Sequence, residues 1–509
     1  MSHNLKKINF QIPKEVLEVI DTLQKSGFEA YLVGGCVRDM LTDKLPKDWD
    51  ITTSAKPGQI VGLFTKTVYE NNFGTVAVIF ENVARETLED VTHETSLATP
   101  YQVIEVTPYR LEAKYSDTRH PDSVIFSQNI EDDLKRRDFT VNAMAFNPTN
   151  GELIDIYKGQ EDIKDKVLRT VGSPDERFGE DALRILRAVR FAVQLDFEID
   201  KDTEKAIVDN SHLLKKISEE RIRDEFIKII MSPDPLRGIK LLSKFHLLTH
   251  TVPELEEGIG CEQKGEHIYD VFDHLLHALE HAEKKDWSLH IRLAALFHDI
   301  GKPRTRRWDG TKAGGKGKYT FYGHEVIGAR MTAKIMDKMR FPKKLSDTVV
   351  TLVRNHMFFS DTETITLSAV RRVVANVGES NIWDLMKIRE CDRVGMKKVE
   401  APYRLRKYHA MIEEALRSPT SVAMLKIDGA RLIEMRETPG PKFSHTLHAL
   451  LEEVLENPTL NTEDYLESRA RELLQLPIEE LKKLGEAGKE KKEETESAEL
   501  KKIHKKHGV

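Results

Sequence analysis

The sequence predicts an α+β protein: a small mixed-sheet head followed by a long all-helical body. Three observations carry this. Up to about residue 160, short runs with strand patterning alternate with helical spacing. Beyond that point the strand signals fade and one helix-period stripe follows another. At 509 residues, with 39% hydrophobic content, the chain exceeds what a single core usually holds.

The elements follow in order. "PKEVLEVIDTLQKSG" (13–27) has apolar residues at helical spacing, with Pro13 at its start and Gly27 just past its end. "EAYLVGG" (29–35) reads as a buried strand ending in a turn, and "CVRDMLTDK" (36–44) as a short helix. "DWDITT" (48–53) reads as a strand because Asp48, Asp50 and Thr52 alternate with Trp49 and Ile51. "GTVAVIF" (74–80) and "QVIEVTPYR" (102–110) are further strands, and the polar stretch 81–100 between them reads as a loop insertion. In the body, 179–195, 218–232, 269–284 and 290–300 read as helices. The charged end, 482–509, reads as a solvated helix or a disordered tail.

A net charge of −6 supplies no global basic field, so a nucleic-acid partner needs local patches. Cys36, Cys261 and Cys391 lie far apart without a Cys-x-x-Cys pair. This argues against a disulfide framework or a thiolate zinc site and fits a reducing compartment. The stretch "MSHNLKKINFQIPKEV" lacks the apolar run of a signal peptide, and nothing approaches the ~20 apolar residues of a membrane span. The expectation is a soluble, cytoplasmic protein with no membrane partner; nothing in the sequence sets an oligomeric state.

On a strand, residues two apart project from the same face, so Asp48 and Asp50 aim two carboxylates at one point. Such a pair repels unless it is neutralised, and Mg²⁺, with its oxygen ligands, does this. Gly34 and Gly35 before a helix let backbone N–H groups approach a triphosphate, and Arg38, one turn in, adds charge. Alone, an Asp-x-Asp is more often a polar strand edge. The ordered combination is far more specific.

"YLVGGCVRDML…KDWDITT" resembles the head signature of the class II tRNA nucleotidyltransferases and bacterial poly(A) polymerases. "DLKRRDFTVNAMAFN" (133–147) resembles their ribose-contacting motif, "ERFGEDALRILRAVRFA" (176–192) the base-reading motif, and "EERIRDEFIKII" (219–230) the neck helix. "MLKIDGARLI…PGPKFSHTLHALLEEVLENPTLN" (424–461) resembles the C-terminal body and tail, so the likeness covers nearly the whole chain. It implies a polymerase-β-like nucleotidyltransferase head over 1–160 and a helical neck, base-reading and RNA-binding region over 161–262. It further implies an HD phosphohydrolase domain over 263–400, a tRNA-binding helical body and tail over 401–481, and the charged tail 482–509.

The resemblance also implies roles. Two Mg²⁺ ions would sit on Asp48 and Asp50, with Glu105 a third nearby carboxylate. Arg137 would bind phosphate and Asp138 would accept from a ribose hydroxyl, with Asn142 helping; Gly35 and Arg38 would contact the nucleotide. Asp181 and Arg184 would read the incoming base. A carboxylate only accepts and a guanidinium only donates, which suits the amino and ring-nitrogen edges of cytosine and adenine and leaves uracil mismatched. Asp181, Arg184, Arg187 and Arg190 are spaced three apart and drift slowly round one side of a helix, beside a core stripe of Leu183, Leu186 and Val189. Without the resemblance this is a solvated basic face; within it, Arg187 and Arg190 lie nearer phosphate or support the template.

The implied reaction is attack of a tRNA 3′-hydroxyl on the α-phosphate of CTP or ATP, adding CCA and releasing pyrophosphate. The alternatives are CC-only or A-only addition, a poly(A) polymerase, or an HD phosphohydrolase whose head merely binds RNA. "VYENNFGTVAVIF" (68–80) resembles the tRNA-enzyme version of that segment. The 81–100 loop departs from the family just before the element thought to switch C addition to A addition.

A second set of residues, His274, His298, Asp299, His324, His356 and Asp392, resembles the metal-ligand series of the HD phosphohydrolase superfamily through "LFHDIGKP". Imidazoles with carboxylates suit Mn, Fe, Ni or Zn better than Mg. His267 and His277, near His274, leave the ligand choice there open. The segment 302–325 is basic, glycine-rich and interleaved with Trp308, Tyr319 and Tyr322; it reads equally as an RNA-tracking element or a flexible surface insertion.

Overall fold

The computed structural model describes residues 11–69, 74–81, 101–112, 124–263, 268–309, 318–357, 365–395, 402–435 and 440–485. The first ten residues, the 81–100 insertion apart from Glu81, the middle of 302–325, His267 and the tail beyond 485 lie outside the described residues. The chain divides into two compact units, Met1–Thr251 and Val252–Val509.

The strands of the first unit are β1 (Ala30–Val33), β2 (Asp50–Thr53), β3 (Thr67–Tyr69), β4 (Val76–Glu81), β5 (Tyr101–Pro108), β6 (Arg110–Glu112), β7 (Val124–Phe126), β8 (Ala145–Asn147), β9 (Glu152–Ile154), β10 (Val167–Leu168) and β11 (Glu198–Ile199). Seven of them form one sheet in the order β3-β4-β5-β2-β1-β8-β9. β2 and β5 pair parallel, while β1–β2, β1–β8 and β4–β5 are antiparallel, so the sheet is mixed.

Strand alternation sorts the side chains onto two covered faces. Ala30 and Leu32 join Ile51, Val76, Val78, Ile104 and Val106 in a core with Val16, Val19, Ile20 and Leu23 of the helix Lys14–Lys25. Val33 joins Tyr109 and Ala145 in a second cluster with Ile130 and Leu134 of the helix Ile130–Lys135. Each such fully buried aliphatic side chain contributes roughly 1.5–3 kcal/mol.

Two expectations need correction. β2 begins at Asp50, not Asp48, because its register with β1 stops at Leu32↔Ile51, where the chain turns away at Gly34; Asp48 lies in a bend before the strand. The stretch 179–195 is two helices, Pro174–Glu180 and Leu183–Leu195, broken at Asp181 (φ −137°, ψ 103°). Asp181 Oδ1 accepts from the Leu183 N–H at 3.1 Å, a local bond that competes with helix continuation. The helix Glu219–Ile230 packs against Leu183–Leu195.

Among its described residues the second unit is helical apart from a hairpin, β12 (Arg307–Asp309) and β13 (Lys318–Thr320). The helix Leu289–Phe297 is buried from Ile291 to Phe297 and packs against the helices Val271–Lys284, Lys343–Asn355 and Ile382–Asp392. Farther on, Leu432, Leu450, Val454, Leu466 and Leu473 form a separate core. Among the described residues, no helix is long and apolar enough to cross a membrane.

Candidate active sites

The first site begins at the glycine turn. Gly34 sits at φ +83°, a conformation that favours glycine, and caps the helix Gly35–Leu41. A Cβ on Gly34 would lie 2.9 Å from Arg137 Nη1 and 3.6 Å from Asp50 Oδ2, so guanidinium and carboxylate meet at this turn. Burial raises the Asp50 pKa, the Arg137 charge opposes that rise, and Asp48 adds to it. β5 places Glu105 in register with Asp50. Asp48 and Glu105 thus flank Asp50 at the start of β2, with more negative charge than one guanidinium offsets. That donor set fits a hard divalent cation.

Arg137 is held by a buried anchor. Its Nη2 donates to Asp133 Oδ2 at 3.1 Å, while Arg136 Nε donates to Oδ1 at 3.0 Å. Burial alone would raise the Asp133 pKa; the two guanidiniums outweigh it and lower it.

Four expected contact residues form one continuous network. Arg38 Nη1 donates to Asn142 Oδ1 at 2.6 Å, and Asn142 Nδ2 donates to Asp138 Oδ1 at 3.2 Å. Asp138 Oδ2 accepts from Arg187 Nε at 2.9 Å and Nη2 at 2.5 Å. Burial of Asp138 opposes its charged form, yet Arg187 brings its pKa down to about 2. The guanidiniums of Arg38, Arg187 and Arg190 lie 5.5, 5.3 and 4.1 Å from the centre of the Phe191 ring. Arg38 and Asp138, read from sequence as separate ligand contacts, here bond to the protein itself.

A cavity of about 270 Å³ opens beside this network, lined by Arg136, Arg137, Asp138, Asp181, Leu183, Arg184, Arg187 and Arg221. Five guanidiniums against two carboxylates favour an anionic occupant. Asp181 Oδ2 accepts from Arg221 Nη2 at 2.8 Å. Arg184 donates to Glu180 Oε2 at 2.6 Å and to the backbone oxygens of Arg177 and Arg136 at 3.1 and 2.9 Å. Arg190 is not among the lining residues. It pairs with Glu225 at 3.1 Å, and burial lowers its pKa to about 10. Each three-residue step lags a helical turn by about 60°, so two steps carry Arg190 well away from Arg184. This corrects the expectation of one shared side.

The second site gathers all six expected residues. His274, His298, Asp299 and Asp392 form one group of converging donor atoms; Asp299, His324 and His356 form another. Asp299 belongs to both. Its Oδ2 lies 3.4 Å from His274 Nε2 and 3.3 Å from His298 Nε2, while its Oδ1 lies 3.2 Å from His324 Nε2 and 3.5 Å from His356 Nε2.

Three rings are set by the backbone. The Nδ1 atoms of His298, His324 and His356 lie 2.8, 2.7 and 2.7 Å from the carbonyls of Ala295, Phe321 and Val353. A carbonyl only accepts, so each Nδ1 donates, which leaves Nε2 of a neutral ring as the inward acceptor; at His298 burial opposes the charged form, but Asp299 and Asp392 outweigh it and raise the pKa to about 10. The Nε2 atoms of His324 and His356 are 3.3 Å apart. Two lone pairs facing each other at that distance call for a cation between them. Burial lowers the His274 and His356 pKa values, keeping both neutral as ligands must be. His277 faces elsewhere: it stacks on Tyr269 at 4.2 Å and pairs with Glu280 at 3.2 Å.

Sequence reasoning passed over several residues. Arg221 and Glu225, four apart on one helix, touch Asp181 and Arg190. That spacing was visible, but their partners were not. Lys302 in "HDIGKP" is buried, ion-paired to Asp299, and donates to Gln263 Oε1 at 2.6 Å.

Three known families match parts of the chain. Residues 30–169 match the poly A polymerase head domain, 196–259 the probable RNA and SrmB-binding site of polymerase A, and 271–396 the HD domain. The CCA-adding enzyme of Lactobacillus helveticus is 44% identical over 228 residues, 45% of this chain and 52% of that protein. That of Lactobacillus delbrueckii subsp. bulgaricus is 38% identical over 300 residues, 59% of this chain and 68% of that protein. The match thus spans about half of the first relative and two thirds of the second. The Bacillus stearothermophilus CCA-adding enzyme in complex with CTP superposes with a TM-score of 0.65 at 26% identity, covering 91% of this chain and 100% of that one. The Thermotoga maritima CCA-adding enzyme complexed with tRNA shares the fold, with a TM-score of 0.53 at 20% identity over 92% and 98% of the two chains. At 38% identity over two thirds of the Lactobacillus delbrueckii enzyme's length, the chain belongs to the family of CCA-adding enzymes.

Proposed function

We propose that the head adds C, C and then A to the 3′ end of tRNA, taking CTP and ATP and releasing pyrophosphate. One observation carries this reading: Arg137 lines the cavity that also holds Asp181 and Arg184, and its Nη1 reaches the glycine turn beside Asp50. A base-selecting pair and a phosphate-handling turn thereby share one guanidinium. The names of similar solved structures carry tRNA, CTP and ATP, which supports these as partners.

Asp48 and Asp50 would hold Mg²⁺, which would supply charge neutralisation of the triphosphate and activation of the attacking hydroxyl. Arg137 and the Gly34–Gly35 turn receive the phosphates. The Asp138–Asn142–Arg38 network keeps the nucleotide's wall rigid. Asp181 accepts from the amino group of cytosine or adenine and Arg184 donates to the ring acceptor. Each keeps capacity for this, since Asp181 uses one bond per oxygen and a guanidinium has five N–H donors.

The second unit hydrolyses phosphate esters. His274, His298, Asp299, His324, His356 and Asp392 would hold two cations of the Mn, Fe, Ni or Zn class, which would supply an activated water. We divide the chain into a head (1–160), a neck (161–262), the HD domain (263–400), a tRNA-binding body (401–481) and a charged tail (482–509), and place it in the cytoplasm.

Primer extension tests the head. tRNAs ending before CCA, after C and after CC are offered each triphosphate singly and CTP with ATP; the Asp48→Asn, Asp50→Asn double variant is the control. Addition of C, C, then A, ending there and absent in the variant, is the expected result. A stop after CC, A-only addition or long A tails would assign a narrower relative instead. No incorporation by folded protein would leave only the HD site as an enzyme.

A further inference from the structure

The hairpin β12–β13 has no part in either site as described so far. Both of its ends are tied to the histidine cluster. β12 follows the short helix Lys302–Thr305, whose Lys302 ion-pairs with Asp299. β13 leads through Phe321 to His324; the Phe321 carbonyl accepts from His324 Nδ1 at 2.7 Å, and its ring lies 5.8 Å from Lys302 Nζ. The hairpin is therefore joined at both ends to residues that touch the cluster.

Its face is built of aromatics and cations. Trp308 and Tyr319 are opposite each other across the ribbon and meet edge to face at 5.0 Å. The Arg306 guanidinium lies 3.8 Å from the Tyr319 ring centre. Trp308 nevertheless stays 54% exposed, and Tyr322, two residues before His324, is 62% exposed. Large exposed rings beside guanidiniums are the composition that stacks bases and neutralises phosphates of single strands. A protein partner would favour a wider apolar patch than these separate rings.

We propose that this hairpin binds the single-stranded 3′ end of an RNA, stacking its terminal bases on Trp308 and Tyr322 so that the end phosphate reaches the histidine cluster. The inference rests on reading that cluster as a phosphate-ester hydrolase, and it adds the class of substrate: an RNA terminus rather than a small free phosphate ester.

The test uses the full chain and a five-nucleotide single-stranded RNA with a 3′-phosphate and a 5′ fluorophore. Anisotropy is read with excess unlabelled RNA duplex present to occupy other RNA sites. Affinity should fall about five-fold or more in Trp308→Ala and in Tyr322→Ala, and Trp308→Phe should largely restore it, with thermal melting unchanged. Tyr322 lies outside the Trp308–Tyr319 pair, so its variant tests stacking without loosening the ribbon. Unchanged affinity in both alanine variants overturns the proposal, as does complete displacement of the probe by duplex. Failure of Trp308→Phe to restore binding overturns stacking as the cause. Hydrolysis of a simple aryl phosphodiester, measured separately, shows whether the hydrolase reading has failed instead.

Discussion

Arg221 donates from Nη2 to Asp181 Oδ2 at 2.8 Å, from a helix that begins 38 residues after the carboxylate it aims. Asp181 lies in the break between two helices, where the backbone alone does not fix its side chain. The neck helix therefore sets the carboxylate's direction before any base arrives.

Arg221→Met should lower kcat/KM for CTP about 10- to 100-fold, the cost of one hydrogen bond to a charged group. Because the carboxylate then loses its fixed direction, preference for CTP over UTP should fall as well. Single-nucleotide incorporation kinetics with both triphosphates checks this. Unchanged discrimination would make Arg221 a packing residue only.

Asp138 makes the head acid-sensitive. Its pKa falls from an ordinary 3.8 to about 2 in the folded chain, because Arg187 outweighs burial. A depressed folded pKa stabilises fully above 3.8 and is lost as pH falls toward 2. The shift corresponds to about 2 kcal/mol, of which about 1 kcal/mol is gone by pH 3. Urea midpoints at pH 5 and pH 3 should therefore drop further in the wild type than in Asp138→Asn, by that margin.

The place of Asp299 in both donor groups predicts unequal losses of metal. Asp299→Ala should lose both cations, whereas His324→Ala should lose about one of the two. Metal analysis per chain after dialysis reads this directly. Equal losses in the two variants would contradict the shared carboxylate.

Gly301 is confined by backbone. A Cβ there would lie 2.6 Å from Gly328 N and closer still to the carbonyl oxygen of His324. Neither atom moves without shifting the helix that carries His324, so Gly301→Ala should cost about 1–3 kcal/mol and lower cation content. Thermal melting with metal analysis tests both parts.

The sequence exposed those parts of the sites that depend on neighbours along the chain. Gly34 and Gly35 fall within one turn, and the donors of the histidine cluster sit at helix ends: His298 and His356 follow one, His324 begins one, Asp392 closes one. β8 escaped notice although it pairs with β1 inside the sheet, because three residues are too few for alternation to register. The break at Asp181 escaped because the apolar stripe runs on through it.

By itself, then, the sequence determined the mixed-sheet head and the helical body, which follow from period and spacing, and through its resemblance it pointed to the residues proposed for phosphate, base and metal chemistry. Only the tertiary structure decided their partners. Arg38 meets Asn142 across 104 positions, Arg187 meets Asp138 across 49, and Arg221 meets Asp181 across 40. Such bonds depend on how helices and strands pack. A guanidinium that reads as a free ligand contact along the chain becomes a buried strut once packing brings a carboxylate or an amide oxygen to it.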